Sequence, residues 1–438
     1  MTAPDIENAQ PASSPRSSAG PKAPPGPPRN RTAPSDRPLD YEVWREVLRG
    51  EPLPAVVVDL DAFDRNVALA ARLVADGGPQ LALRTATKSL RVPALVRRVL
   101  AQGHPFQGLM CYDARELALW STLGCGDLLL AYPTVQNSDL RRLRDVHETG
   151  TTVRLVVDSL SAAEAASRVL ADSTRPLDLV LDVDMSWRPL GGRVHLGVRR
   201  SPLRSTADVL ALWRRIERLP GVRVAGLLAY EAQVAGLGDR NPFKPLLNPA
   251  FAAVRRLSVR AVARLRHELA EALVAAGLPL EIFNGGGTGS LNFANREPWL
   301  TELTAGSGFL CSHLFDYYSN VRFEAAAFFA LQVTRSSDPS FVTCAGGGYI
   351  ASGEPGWDRV PVPAWPRGLK LVAAEGCGEV QTPLAVPRSV RLAPGDPVLF
   401  RHAKAGELAE RFREYLLVSG GKIVDRVPTY RGLGRCFI

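Results

Sequence analysis

Two stretches of this chain carry residues of the right type and spacing for chemistry. The first is Leu81-Ala82-Leu83-Arg84-Thr85-Ala86-Thr87-Lys88-Ser89-Leu90-Arg91, an alternating apolar strand that ends in a lysine flanked by hydroxyls and arginines. The second is Asn284-Gly285-Gly286-Gly287-Thr288-Gly289-Ser290. Glycines let backbone N–H groups approach an anion without a Cβ in the way, and Thr288 and Ser290 add hydroxyl donors. No lysine follows the run, so it is not a P-loop, and its spacing is not a dinucleotide fingerprint. It reads as a phosphate loop, with a ligand-free tight turn as the plain alternative.

A phosphate site and an amine at a strand end together suggest pyridoxal phosphate held as a Schiff base. The lysines available are Lys22, Lys88, Lys244, Lys370, Lys404 and Lys422. Lys22 lies in a Pro- and Ser-rich tail, Lys244 in a Pro- and Asn-rich loop, and Lys370 and Lys422 in a later strand-rich region. Lys88 and Lys404 remain. Lys88 follows a strand, where desolvation would lower its pKa and free the amine for attack.

The elements that position these residues can be read from apolar patterning. Short apolar runs recur at Leu81–Thr87, Gln107–Cys111, Asp127–Ala131, Val153–Val157, Leu177–Val183, Val222–Tyr230, Glu281–Asn284 and Thr301–Ala305, with helix-period segments such as Val92–Leu100 and Ala114–Leu123 between them. Eight strand–helix alternations predict an α/β fold, a (β/α)8 barrel over residues 81–318. Barrel catalysis uses the C-terminal ends of the strands, which selects Lys88, Cys111 to Asp113, Asp158, Asp182 to Asp184, Tyr230-Glu231 and the glycine run. Residues 319–438 change character. Strand-like runs at Phe328–Val333, Phe341–Cys344, Leu369–Val372, Pro397–Phe400, Tyr415–Val418 and Lys422–Val424 predict a C-terminal β domain. Residues 41–80 hold a strand, Ala55–Leu60, and a helix opening with Asp61 and Asp64; with the barrel already full, that strand is expected to join the β domain. Residues 1–40 are rich in Pro, Ser, Ala and Arg and are expected to be a disordered tail.

Composition excludes several function classes. Hydrophobic content of 46% is that of a globular protein, and no apolar run approaches the roughly 20 residues of a membrane span. The net charge of +9 is carried almost wholly by arginine, and basic residues do not alternate with aromatics, so neither nucleic acid nor membrane is an expected partner. Six scattered cysteines without a C-x-x-C pair or secretory segment read as reduced thiols of a cytoplasmic protein.

Several pieces resemble, in order, the fold-type III, alanine-racemase-like pyridoxal enzymes, in particular the D-serine dehydratase and D-threonine aldolase branch. They are Val58-Asp59-Leu60-Asp61-Ala62, Arg84 to Ser89, Asp182-Val183-Asp184, Tyr230-Glu231, Gly285 to Ser290, Thr301 to Ser307 and Gly395-Asp396-Pro397. The resemblance runs from about Pro54 to about Lys404 and is greatest to bacterial amino acid deaminase/aldolase proteins. It implies that Lys88 holds pyridoxal 5′-phosphate, that Gly287, Thr288, Gly289, Gly306 and Ser307 hold its phosphate, and that Tyr230 contacts its ring. An arginine after the fifth barrel strand is also implied, with Arg188 first and Arg193 competing. A homodimer is implied by the same resemblance.

One departure concerns the metal. The family binds a divalent ion through a histidine and a Cys or Asp two residues later. Here the segment reads Arg401-His402-Ala403-Lys404, and a protonated lysine has no lone pair for a metal. Gln233 also stands where relatives often carry His. The expectation is that no metal binds, that the Lys404 ammonium takes its electrostatic place, and that His402 serves as acid or base because imidazole titrates near neutrality. A solvated Lys404, or Glu407 as a displaced ligand, are the alternatives. The function implied is a lyase acting on a D-configured β-hydroxy amino acid, by retro-aldol cleavage or by dehydration. An amino acid racemase and a non-catalytic pyridoxal-phosphate-binding protein are the rival readings.

Overall fold

The computed structural model describes residues 39–437. The tail expected over residues 1–40 lies outside them, apart from Leu39 and Asp40. The described chain opens on a helix, Tyr41–Val47, capped by the Asp40 carboxylate. Strand β1 (Ala55–Asp59) follows. Asp59 then accepts the Ala62 N–H at 3.0 Å and starts the helix Leu60–Ala75, an N-cap in which the side-chain oxygen satisfies an orphan backbone donor.

Eight parallel strands close into a barrel: β2 (Ala82–Ala86), β3 (Phe106–Cys111), β4 (Asp127–Leu130), β5 (Thr152–Val157), β6 (Leu177–Asp182), β7 (Val222–Leu228), β8 (Ile282–Gly285) and β9 (Glu302–Ala305). These are the eight predicted runs, with ends moved by a residue or two. β9 pairs with β2 from Ala82↔Glu302 to Thr85↔Ala305, which closes the ring. The upper interior is apolar, built from Leu129, Val156, Val180, Leu228 and Ile282. The N-terminal end is ionic instead. Arg84 pairs with Glu302 and Asp127, Arg154 with Asp127 and Asp178, and Arg223 with Asp178 and Glu281, so charges alternate around the barrel floor.

The second unit is a nine-stranded sheet. It holds β1, β10 (Ala327–Asp338), β11 (Phe341–Ala345), β12 (Val362–Trp365), β13 (Lys370–Leu371), β14 (Gln381–Ala385), β15 (Pro397–Arg401), β16 (Glu414–Ser419) and β17 (Lys422–Pro428). β1 lies antiparallel to β10 and parallel to β16, so a strand from before the barrel is central to the sheet that follows it. Its side chains alternate. Val56 and Val58 pack in the large core shared with the barrel helices, and Val57 packs with Trp44, Phe328 and Leu416 on the other face. Asp61 adds a polar tie, accepting from the Ser419 hydroxyl at 2.9 Å and the Gly420 N–H at 3.1 Å. Among the described residues no helix is long and apolar enough to cross a membrane.

Candidate active site

Lys88 lies in a 3-10 turn, Thr87–Ser89, at the C-terminal end of β2. Its ammonium donates to the Tyr132 hydroxyl at 2.9 Å and lies 5.5 Å from that ring's centre. Lys88 is exposed at the barrel mouth, so the desolvation expected from the sequence is not what the fold provides. Burial pushes the Tyr132 phenol up, but Lys88 and Arg200 outweigh burial and leave it below its ordinary value.

The loops beside Lys88 converge on it. β8, β9 and β2 are consecutive around the barrel. Gly306, after β9, lies so close to the lysine turn that a Cβ there would be 2.6 Å from the Ala86 carbonyl oxygen and 3.1 Å from the Ser89 Cβ. The Ser307 hydroxyl donates to the Thr288 hydroxyl at 3.3 Å, and the Gly308 N–H donates to the same oxygen at 3.2 Å. Thr288 and Ser307 thus form one polar cup from two loops. The glycines of the run have protein neighbours of their own. Gly286 has φ +77°, and a Cβ at Gly287 or Gly289 would strike Tyr230 and Ala235, or Ala235 and Tyr318. Ser290 turns inward: its hydroxyl donates to Glu231 at 2.6 Å, and Arg266 holds the same carboxylate from below.

Beside the glycine run, Tyr230 follows β7, the strand next to β8. Burial and the nearby Glu231 push its phenol up to about 12, against Arg200. The Arg200 guanidinium lies 5.6 Å from the Tyr230 ring centre and donates from Nε to Asp182 at 3.1 Å. Asp182 is 3% exposed and its Oδ1 has no hydrogen-bond partner. Burial raises its carboxyl to about 6 despite Arg200. Arg188, the first choice from sequence, is engaged elsewhere: it pairs with Asp184 at 2.9 Å and with the Ser186 hydroxyl at 3.1 Å. Arg193 is exposed on the same loop. The arginine over Tyr230 is therefore Arg200. Arg200, over Tyr230, and Tyr132, on the Lys88 amine, are contacts that sequence reasoning missed. Gln233 is buried and donates to the Met185 carbonyl at 2.5 Å, a structural role.

The segment after β15 meets the lysine turn from the β domain. A Cβ at Gly406 would lie 1.8 Å from the Lys88 carbonyl oxygen, so the helix Ala405–Ala409 rests directly on that turn. His402 is 2% exposed, and neither ring nitrogen has a hydrogen-bond partner. Burial, with Arg401 and His313 nearby, pushes its pKa down to about 3. The expectation of an imidazole titrating near neutrality is thus corrected: this ring is held neutral, because its surroundings exclude water and already carry positive charge. Lys404 is half-exposed, donates to the Ser352 hydroxyl at 2.8 Å and lies 3.2 Å from Glu407.

These residues fit pyridoxal phosphate. They offer an exposed amine, a two-hydroxyl cup built against its turn, and a buried carboxyl oxygen without a partner near Tyr230. Among the described residues no three His, Cys, Asp or Glu side chains converge as metal ligands.

The alanine racemase N-terminal domain model matches residues 58–307. D-threonine aldolase from Arthrobacter sp is 28% identical over 263 residues, 59% of this chain and 62% of that protein. D-threo-3-hydroxyaspartate dehydratase from Delftia sp. (strain HT23) is 27% identical over 254 residues, 58% of this chain and 60% of that protein. The matched stretch thus spans about three fifths of the length of these relatives. The fold is shared over more of the chain. The crystal structure of D-threonine aldolase from Filomicrobium marinum superposes with a TM-score of 0.73 at 21% identity, covering 87% of this chain and 96% of that one.

Proposed function

This chain belongs to the alanine racemase N-terminal domain family, and on that premise we propose that it is a pyridoxal-phosphate-dependent lyase acting on a D-configured β-hydroxy amino acid. The observation that carries the reading is the packing of the Thr288–Ser307 cup against the Lys88 turn through Gly306. A phosphate site and the amine that would bond the cofactor are then parts of one rigid unit. The aldolase and dehydratase activities of the similar proteins support the substrate class.

In this reading Lys88 is the attachment point, Gly287, Thr288, Gly289, Gly306 and Ser307 surround the phosphate, Tyr230 flanks the ring, and Arg200 rather than Arg188 completes its surroundings. When bound, the cofactor supplies an electron sink for charge developing at Cα. The chain's own groups do the rest. Tyr132 orients the Lys88 amine and, with its lowered pKa, can exchange a proton with it. Asp182 and Arg200 fix the electrostatics of the Tyr230 wall. His402, held neutral, offers a lone pair to a hydroxyl rather than a titrating acid.

Lys404 stands where the family's second metal ligand is expected. We propose that its ammonium, oriented by Ser352 and Glu407, supplies the positive charge there. A cation without Lewis acidity does less for a departing hydroxide than a metal does, which favours retro-aldol cleavage over dehydration. We also propose a cytoplasmic homodimer; the exposed apolar side chains Val135 and Leu190, on loops that follow barrel strands, support a second copy covering that end. The deciding experiment follows the visible absorption of the cofactor-loaded protein with a panel of D-β-hydroxy amino acids while assaying aldehyde and ammonia. Aldehyde release supports cleavage, ammonia supports dehydration, and turnover of neither overturns the reading.

A further inference from the structure

Beneath the glycine run lies a buried ion pair that the proposed reaction does not use. Glu231, just after β7, is 2% exposed, and Arg266, on the long helix Asn248–Ala275, is 1% exposed. The Arg266 guanidinium pairs with the Glu231 carboxylate, donates to the Ala229 carbonyl at 2.5 Å and reaches Glu297 at 2.6 Å. It passes under Gly285, where a Cβ would lie 2.6 Å from one of its terminal nitrogens. The first glycine of the run therefore makes room for an arginine, not for a ligand.

Glu231 connects that pair to the loop. One carboxylate oxygen accepts the Gly286 N–H at 3.1 Å, and the other accepts the Ser290 hydroxyl at 2.6 Å. Ser290 is 0% exposed. Its hydroxyl oxygen accepts the Gly287 N–H at 3.0 Å, and its own N–H donates to the Gly287 carbonyl at 2.9 Å. An ionised carboxylate only accepts, so donors from Gly286, Ser290 and Arg266 can close on it together. The N–H groups of Gly286 and Gly287 are thereby turned inward.

The far end of the run is held from the same helix. Arg255 lies about three helical turns before Arg266, on the same face. It pairs with Asp239 at 2.7 Å and donates to the Asn320 side-chain oxygen at 2.9 Å. The Asn320 amide donates in turn to the Gly289 carbonyl at 3.0 Å. Between these two anchors lies Thr288, whose hydroxyl meets Ser307 and the Gly308 N–H.

We propose that Glu231 is a positioning residue for the cofactor phosphate: by holding the Gly286 N–H and the Ser290 hydroxyl inward, it fixes the turn that presents the Thr288-Gly289 half of the run to the anion. This rests on the reading of the Thr288–Ser307 cup as a phosphate site. Arg266 completes the arrangement. A buried carboxylate without a counter-charge is costly, and it would also repel a phosphate across the loop; the guanidinium supplies that counter-charge from below. Because Glu231 acts through the phosphate loop, it matters for a ligand that carries the phosphate and not for one that lacks it.

The test uses the full-length protein and two probes, pyridoxal 5′-phosphate and pyridoxal, which share the ring and aldehyde and differ in the phosphate. Each is titrated at fixed pH, and binding is read from the visible absorption. The wild type binds pyridoxal 5′-phosphate more tightly. Glu231→Gln replaces one acceptor oxygen by an amide N–H that faces donors. It lowers the affinity for pyridoxal 5′-phosphate by about tenfold or more and leaves that for pyridoxal within about twofold. Ser290→Ala removes the bridge to Gly287 and leaves the ion pair in place. It narrows the preference in the same direction and decides the matter where Glu231→Gln does not fold. Variants that weaken both probes alike, as a purely structural role would, or that weaken neither, overturn the proposal while the phosphate site stands. A wild type that binds the two probes equally overturns the phosphate-site reading and the proposal with it.

Discussion

Arg84 sits two residues from the end of the strand that delivers Lys88, and its removal has a calculable cost. The side chain is 1% exposed. Its Nε reaches both Glu302 oxygens at 2.9 and 3.1 Å, one terminal nitrogen reaches Glu302 at 2.7 Å, and the two terminal nitrogens reach Asp127 at 2.9 and 3.2 Å. In Arg84→Met, Asp127 retains Arg154 at 2.7 Å. Glu302, 4% exposed, retains only Asn284 at 2.7 Å as a side-chain donor and becomes a buried charge without a counter-charge. Breaking a buried pair in this way costs about 3–5 kcal/mol. The double variant Arg84→Met/Glu302→Gln removes the orphaned charge and should regain about 2–3 kcal/mol of that. Urea unfolding of the cofactor-free protein, followed by far-UV circular dichroism, gives all four corners of the cycle. A single variant within about 1 kcal/mol of wild type, or a strictly additive double variant, would refute the view of the barrel floor as a coupled ionic ring.

Four shorter predictions accompany it. Gly306→Ala forces its Cβ to 2.6 Å from the Ala86 carbonyl and should lower pyridoxal phosphate affinity by about tenfold or more, read by equilibrium dialysis. Tyr132→Phe removes the Lys88 hydrogen bond; Tyr132 is 43% exposed, so the effect is discounted to about tenfold in turnover, about 1.4 kcal/mol. Asp182 has a folded pKa of about 6, raised by burial above its unfolded value of 3.8. Its contribution to stability is therefore full below about pH 4 and is lost as pH rises through 6. Asp182→Asn should accordingly show a smaller drop in Tm than wild type between pH 4 and pH 7, and an unchanged drop would count against this assignment. Lys404→Cys restores the expected ligand pair with His402 and should bind one equivalent of zinc by elemental analysis, where the wild type binds none.

The barrel was legible because its strands are apolar runs bounded by polar loops, and all eight appear within a residue or two of where the pattern puts them. β12 and β14 were not, because Pro363 and Pro383 interrupt them and proline argues against a strand. The chemistry was legible where residue type alone is unusual: a rare lysine at a strand end, and a glycine run with hydroxyls. It was not legible where a group acts through a long loop. Arg188, Arg193 and Arg200 share one irregular stretch, and nothing in its order says which guanidinium reaches Tyr230. Tyr132 reads as an ordinary residue before Pro133. Arg266 reads as a surface charge on the helix Asn248–Ala275, yet its side chain is 1% exposed and holds Glu231 under the glycine run. Glu116 reads as an acid suited to a helix N-terminus, yet it is buried and accepts from the Tyr430 hydroxyl and the Tyr112 N–H. His402 was found, but its protonation depends on burial, which a sequence does not display.

The central claim is that Lys88 is the amine that bonds the cofactor, and borohydride reduction of the pyridoxal-phosphate-loaded protein tests it most directly. Six lysines are available to be marked. Peptide mass spectrometry after reduction should find the pyridoxyl adduct on the Lys88 peptide, in close to one equivalent, and should find no adduct in Lys88→Ala. An adduct on Lys404, or a bound cofactor that leaves every lysine unmodified, would contradict the account.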